Sequence, residues 1–192
     1  MNMSQISTEF SREDIQNLSG LIGSQYLFVG GKDVPEYLMA SQFIISTTYG
    51  SLIFEGDVVE ADFEGYLENY SRIDIRKASV KDISSLESRG QVFRRHSGSN
   101  ILDVLVVRQV ITEFFHGQPT WSLATSRAII LDLGQTQLCL SKLGQHDEAL
   151  AITEQHGFDI EKLPSTSNYF EPNLETEYRF EQKLISLGSA NG

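Results

Sequence analysis

Val59-Glu60-Ala61-Asp62-Phe63-Glu64 alternates apolar and acidic residues without a break. A repeat of two fits an extended strand, whose successive side chains point to opposite faces. One face of that strand is apolar and needs cover; the other carries three carboxylates. The surrounding stretch, Ser41 to Glu68, is β-patterned throughout. Within it, Phe43-Ile44-Ile45 and Leu52-Ile53-Phe54 flank Tyr49-Gly50-Ser51, a hairpin in which glycine supplies the unusual φ.

Other segments follow the same logic. Tyr26 to Val29 reads as a strand closed by Gly30-Gly31, and Tyr70 to Arg76 alternates as a half-buried one. Ile101 to Phe115 is rich in β-branched residues and apolar on both faces, as expected of a central strand or one bent between two sheets. Ala128 to Leu131 and Leu138 to Leu140 flank Gly134 as a second hairpin. Asp147 to Gln155 fits helix or strand, Val34 to Ala40 reads as irregular or one turn of helix, and His96 to Asn100 reads as a loop. Ser11 and Asp14, then Ser79 and Asp82, have capping-box spacing. They predict short helices over 12–18, ended by Gly20, and over 80–89, ended by Gly90. Leu174 to Leu187 has near-helical apolar spacing with Glu175 four before Arg179, and is expected to be a third helix.

The expected fold class is therefore α+β: mainly antiparallel sheet with short peripheral helices. The two hairpins superimpose at an offset of 86 residues, and at that offset Phe28 falls on Phe114. Any two glycine-turn hairpins look alike, so the chain reads either as one undivided domain, 1–192, or as two related β halves. Those halves would span about 21–78 and 101–160, joined by the helix near 80–89.

A chain of 192 residues can bury roughly 70% of its surface, enough for its own core. It carries 15 Lys+Arg against 26 Asp+Glu, a net charge of −11. That excludes a general nucleic-acid binder, which needs basic surface. One cysteine excludes an internal disulfide framework and a cysteine-rich zinc site. The N-terminus lacks the basic and apolar regions of a signal peptide, and no run of 18 apolar residues occurs, so a cytoplasmic protein without membrane contact is expected.

Charge is uneven. Glu55, Asp57, Glu60, Asp62, Glu64 and Glu68 form a run with no base among them. Such a face can be solvated surface, can steer a basic protein, or can hold a cation or do acid–base work. Residues 72–108 carry +4 while the rest carries −15; Arg94-Arg95-His96 beside a Gly/Ser stretch is a candidate anion site. Trp121 is either a partner anchor or a core wedge. No catalytic residues, metal ligands or cofactor are assigned. His96, His116, His146 and His156 lack metal spacing, Gly30-Gly31-Lys32-Asp33 is no phosphate loop, and Ser97-Gly98-Ser99 is no nucleophile elbow. Cys139, between two leucines, reads as a buried inert thiol.

The leading expectation is a non-enzymatic acidic protein that binds another, basic protein, as an inhibitor or immunity-like partner would. The alternatives are a small hydrolytic enzyme using carboxylate and His residues from loops, and a small-ligand-binding module.

Overall fold

A computed structural model describes residues 3–31, 39–63, 66–88, 92–146, 148–157, 159–160, 163, 172 and 175–188. Among the described residues, twelve strands and two helices follow in chain order: β1 (Ser4–Thr8), α1 (Arg12–Ser19), β2 (Gln25–Gly31), β3 (Met39–Ala40), β4 (Gln42–Thr47), β5 (Gly50–Phe63), β6 (Tyr66–Lys77), α2 (Val80–Ser88), β7 (Val92–Asn100), β8 (Asp103–Phe115), β9 (Gln118–Asp132), β10 (Gln137–Lys142), β11 (Leu150–Gln155) and β12 (Thr176–Ser186). They form two mostly antiparallel sheets, ordered β6-β5-β4-β2-β7 and β12-β8-β9-β10-β11-β3, with β1 added in parallel to β9.

The two hairpins agree in register. Phe43 lies opposite Phe54, Ile44 opposite Ile53 and Ile45 opposite Leu52. Ile129 lies opposite Leu140, Ile130 opposite Cys139 and Leu131 opposite Leu138. In both hairpins the flanking pairs point into one shared core between the sheets, while the middle pair points outward. The agreement extends to strand order. Each sheet contains a four-strand meander, β2-β4-β5-β6 or β8-β9-β10-β11, whose first strand is paired on its other side by a later strand, β7 or β12. The shared core takes residues from both sheets together with Leu18 and Leu21 around α1. On one outer face Phe28, Ile44 and Ile53 meet Ile83 of α2; on the other, Val107, Ile130 and Cys139 meet Leu163. Burial holds the Cys139 thiol protonated, pushing it up to about 12.

Both helices begin where the capping boxes put them. The Asp14 carboxylate accepts from the Ser11 backbone N–H at 2.8 Å, and the Asp82 carboxylate accepts from that of Ser79 at 2.7 Å. Gly20 caps α1 with a right-handed φ of −65°, so its position does not depend on glycine's left-handed freedom. Gly90 lies outside the described residues.

Three expectations are corrected. The segment expected as a third helix is strand β12, paired with β8 over eleven residues without a shift. An open neighbour with a matching apolar edge outweighs the helical spacing of a few leucines, and Arg179 lies 4.2 Å over the Phe114 ring instead of pairing along a helix. His96 to Asn100 is not a loop but part of β7, where Tyr26 pairs with Ser99 and Gln25 with Asn100. Met39 and Ala40 form a strand bridge to β11, and the rest of the stretch 34–40 is outside the described residues. Asp147 to Gln155, open between two states, contains strand β11.

Candidate protein-binding surface

The alternating acidic segment becomes the outer part of a long hairpin. β5 pairs with β4 only as far as Glu55 opposite Gln42, yet continues to pair with β6 out to Phe63 opposite Tyr66. From Gly56 onward, β5 and β6 form a two-stranded ribbon reaching past the body of their sheet. An isolated two-stranded ribbon is marginal in water, so its support matters.

That support comes from one face and one turn. Tyr70 is 1% exposed and packs with Trp121, Ile111 and Leu123, joined by half-buried Ala61, Ile6 and Tyr178. The Tyr70 ring centroid lies 6.1 Å from that of Trp121 and 5.6 Å from that of His146. Desolvation, reinforced by Glu68 and its hydrogen bond, pushes the Tyr70 phenol well above its ordinary value, so it stays neutral. The turn between β10 and β11 braces the ribbon from its edge. Ser71 donates its backbone N–H to the Gln145 carbonyl at 2.7 Å, and His146 Nδ1 lies 2.6 Å from the Asn69 carbonyl. Gly56 is required there: a Cβ built on it would stand 1.9 Å from the Glu148 carbonyl oxygen.

The remaining surface of the ribbon is acidic. Glu55, Glu60 and Asp62 are exposed, Asp57 and Glu68 are half-exposed, and Val59 and Ala61 are half-buried. Glu64 and the Phe63 side chain lie outside the described residues. Across the ribbon Asp57 faces Arg72, while farther out Glu60 faces Asn69, Ala61 faces Glu68 and Asp62 faces Leu67, so from Glu60 to Asp62 the register sets no acid opposite a base. Glu55 faces Asp74. Arg72 is the single base among described residues 55–74, and it already bonds Asp57 at 2.9 Å and Asp74 at 2.7 Å. Leu67, 70% exposed, gives the acidic surface an apolar point.

The other candidates fare differently. Trp121 is 1% exposed, so the core wedge is the observed arrangement and its ring is not available as an anchor. Arg94, Arg95 and His96 lie on β7, the first two opposite Val29 and Phe28; their side chains are outside the described residues. Among the described residues no group of three or more His, Cys, Asp or Glu could hold a metal.

Sequence reading missed the buried polar residues between the sheets. Lys142 is 2% exposed and donates from Nζ to the Ser71 carbonyl and to Thr125 Oγ1, both at 2.6 Å. Thr8 Oγ1 in turn donates to Thr125 Oγ1 at 2.7 Å. Lys142 thereby ties β10 to β6 across the two sheets. Its one sequence signal is that it continues the inward series Leu138, Leu140. Arg127, also 2% exposed, is the extra residue of a bulge between the pairs Val107–Ala128 and Arg108–Ser126. There β9 exchanges β1 for β10 as its neighbour. Glu113, 7% exposed, accepts from Thr120 Oγ1 at 2.7 Å and from the Tyr178 hydroxyl at 2.8 Å, which commits it to holding β8, β9 and β12 together.

No family model, no curated protein and no solved structure matches this chain.

Proposed function

We propose that this chain is a non-enzymatic binding protein whose β5–β6 ribbon docks a basic partner protein. The observation that carries the reading is the strand register: it leaves five described carboxylates between Glu55 and Glu68 on two paired strands, with Arg72, opposite Asp57, as the one base among described residues 55–74. Like charges gathered on an elevated ribbon project a negative field that attracts a cationic surface and speeds encounter. The fold spends apolar packing and a glycine-dependent contact on holding that ribbon up. Tyr70 and Ala61 supply the supporting apolar contacts, and of the described acids Glu68 joins them by accepting from the Tyr70 hydroxyl.

The experiment is affinity capture from the native cell, with identification of the retained protein, repeated with Glu60→Lys/Asp62→Lys. The expected outcome is a basic protein retained by the wild type and lost by the reversal while the melting transition is kept. Retention that is equal in both, or a partner without a basic surface, contradicts the reading.

A further inference from the structure

A second feature, on a different part of the molecule and independent of the acidic ribbon, is a cleft of about 440 Å³ between the C-terminal end of α1, the β4–β5 turn and the end of β6. We propose that this cleft binds a small organic anion carrying a planar ring.

The size falls in the range of small-molecule sites, which combine an apolar floor with a few polar groups. Here Leu21 and Leu52, buried at 3% and 4%, belong to the floor, and Asn17, Ser51, Tyr49 and Lys77 supply polar groups. The walls are pre-formed. Thr47 Oγ1 donates to the Gly50 carbonyl at 2.9 Å and accepts from the Tyr49 N–H at 3.2 Å. The Thr48 N–H reaches the Gln25 carbonyl at 3.0 Å, while Thr48 Oγ1 accepts from the Gln25 N–H, also at 3.0 Å. The turn is thereby locked from both sides, and it carries Tyr49, a ring left 81% exposed at the cleft. A rigidly presented aromatic ring suits stacking, because little freedom is lost on binding.

The charge of the cleft selects the ligand. In a chain of net charge −11, among the described residues no Asp or Glu lines it, and Lys77 is its one ionic group. Lys77 is exposed and has no ion-pair partner among the described residues. It stands beside Arg76 and near Lys81, in the basic stretch of the sequence. The last turn of α1 has no basic residue, and the negative end of its dipole disfavours an anion on the helix side. The anionic group therefore seats against Lys77, where a charge-assisted hydrogen bond is available, and the ring lies against Tyr49.

The test is an NMR titration of the full chain with benzoate and indole-3-acetate, each beside its neutral amide. The carboxylates should bind with a Kd at or below about 1 mM, a weak-ligand affinity, and shift backbone amides at residues 16–21, 47–52 and 77–78. The neutral amides should bind at least tenfold more weakly. Lys77→Gln and Tyr49→Ala, both at exposed positions, should each weaken the carboxylates at least fivefold at an unchanged melting temperature. Lys81→Gln, outside the cleft, should bind as the wild type does. No shifts at 10 mM carboxylate, equal binding of the neutral amides, or Lys77→Gln indistinguishable from wild type would each overturn the proposal.

Discussion

The two meanders share strand order, hairpin register and facing, yet each lengthens a different hairpin. In one, β8 and β9 run 13 and 15 residues while β10 and β11 have six each. In the other, β2 and β4 have seven and six, while β5 and β6 run 14 and 12. The β8–β9 extension is flanked on both edges, by β12 and by β1. The β5–β6 extension has no such strand beyond Gln42 among the described residues and leans on its sister through Tyr70 and Trp121. One extension thus serves as a platform and the other is held out over it. The acids fall on the one held out, which is why the functional reading rests on that difference.

Removing the platform should have the largest effect. Trp121→Ala is expected to destabilise the fold by about 3–5 kcal/mol, the usual cost of truncating a large buried aromatic side chain. Chemical denaturation measures it. A loss no larger than that of an exposed position such as Tyr49, under about 0.5 kcal/mol, would mean that the ribbon does not depend on the β8–β9 extension.

The edge contact comes next. Gly56→Ala forces a methyl against the Glu148 carbonyl and should cost about 1–3 kcal/mol, the range for overpacking. Hydrogen exchange sharpens the comparison: the Ser71 amide, bonded to Gln145, should lose protection, while amides of the β9–β10 hairpin keep theirs. Equal loss in both hairpins would show one cooperative body without a separately braced ribbon.

The outer faces supply the smallest expected effect. The Ser79 hydroxyl and the Arg76 guanidinium hold the Asp82 carboxyl down to about 2, below the ordinary carboxylate value near 4. A carboxyl lowered in the folded state stabilises above its unfolded value, and that contribution is lost as pH falls through the folded one. Amides of α2 should therefore lose protection between about pH 4 and pH 2, ahead of those around Cys139 on the other outer face. Loss of both together would remove the asymmetry.

Much of this arrangement is legible in local pattern. The capping boxes at Ser11 and Ser79, the two hairpins and the alternation from Val59 require only neighbours within a few residues. What was not legible depends on distant partners. β12 carries both helical and alternating signals, and only the presence of β8 decides between them. The brace on Gly56 comes from Glu148, and the partners of Lys142 come from β6 and β9, far away in sequence. For the candidate surface, the acidic run was visible as composition. That Arg72 is the base set opposite the run, facing and bonding Asp57, was not, since register cannot be read from one strand.

The most direct measurement of the central claim is the salt dependence of association with the captured partner, compared between two charge-matched variants. One is Glu60→Lys/Asp62→Lys on the ribbon; the other is Glu13→Lys/Glu177→Lys, at exposed positions on α1 and β12. Both change the net charge equally. Screening shortens from about 30 Å at 10 mM salt to about 3 Å at 1 M, so steering acts only at the low end. The account predicts that the ribbon variant associates at least tenfold more slowly than wild type at 10 mM salt, within the range steering supplies. It also predicts that the difference vanishes at 1 M, while the control stays within about threefold throughout. Equal slowing of both variants would trace attraction to net charge alone, and an unchanged rate in the ribbon variant would contradict the assignment of the ribbon as the binding surface.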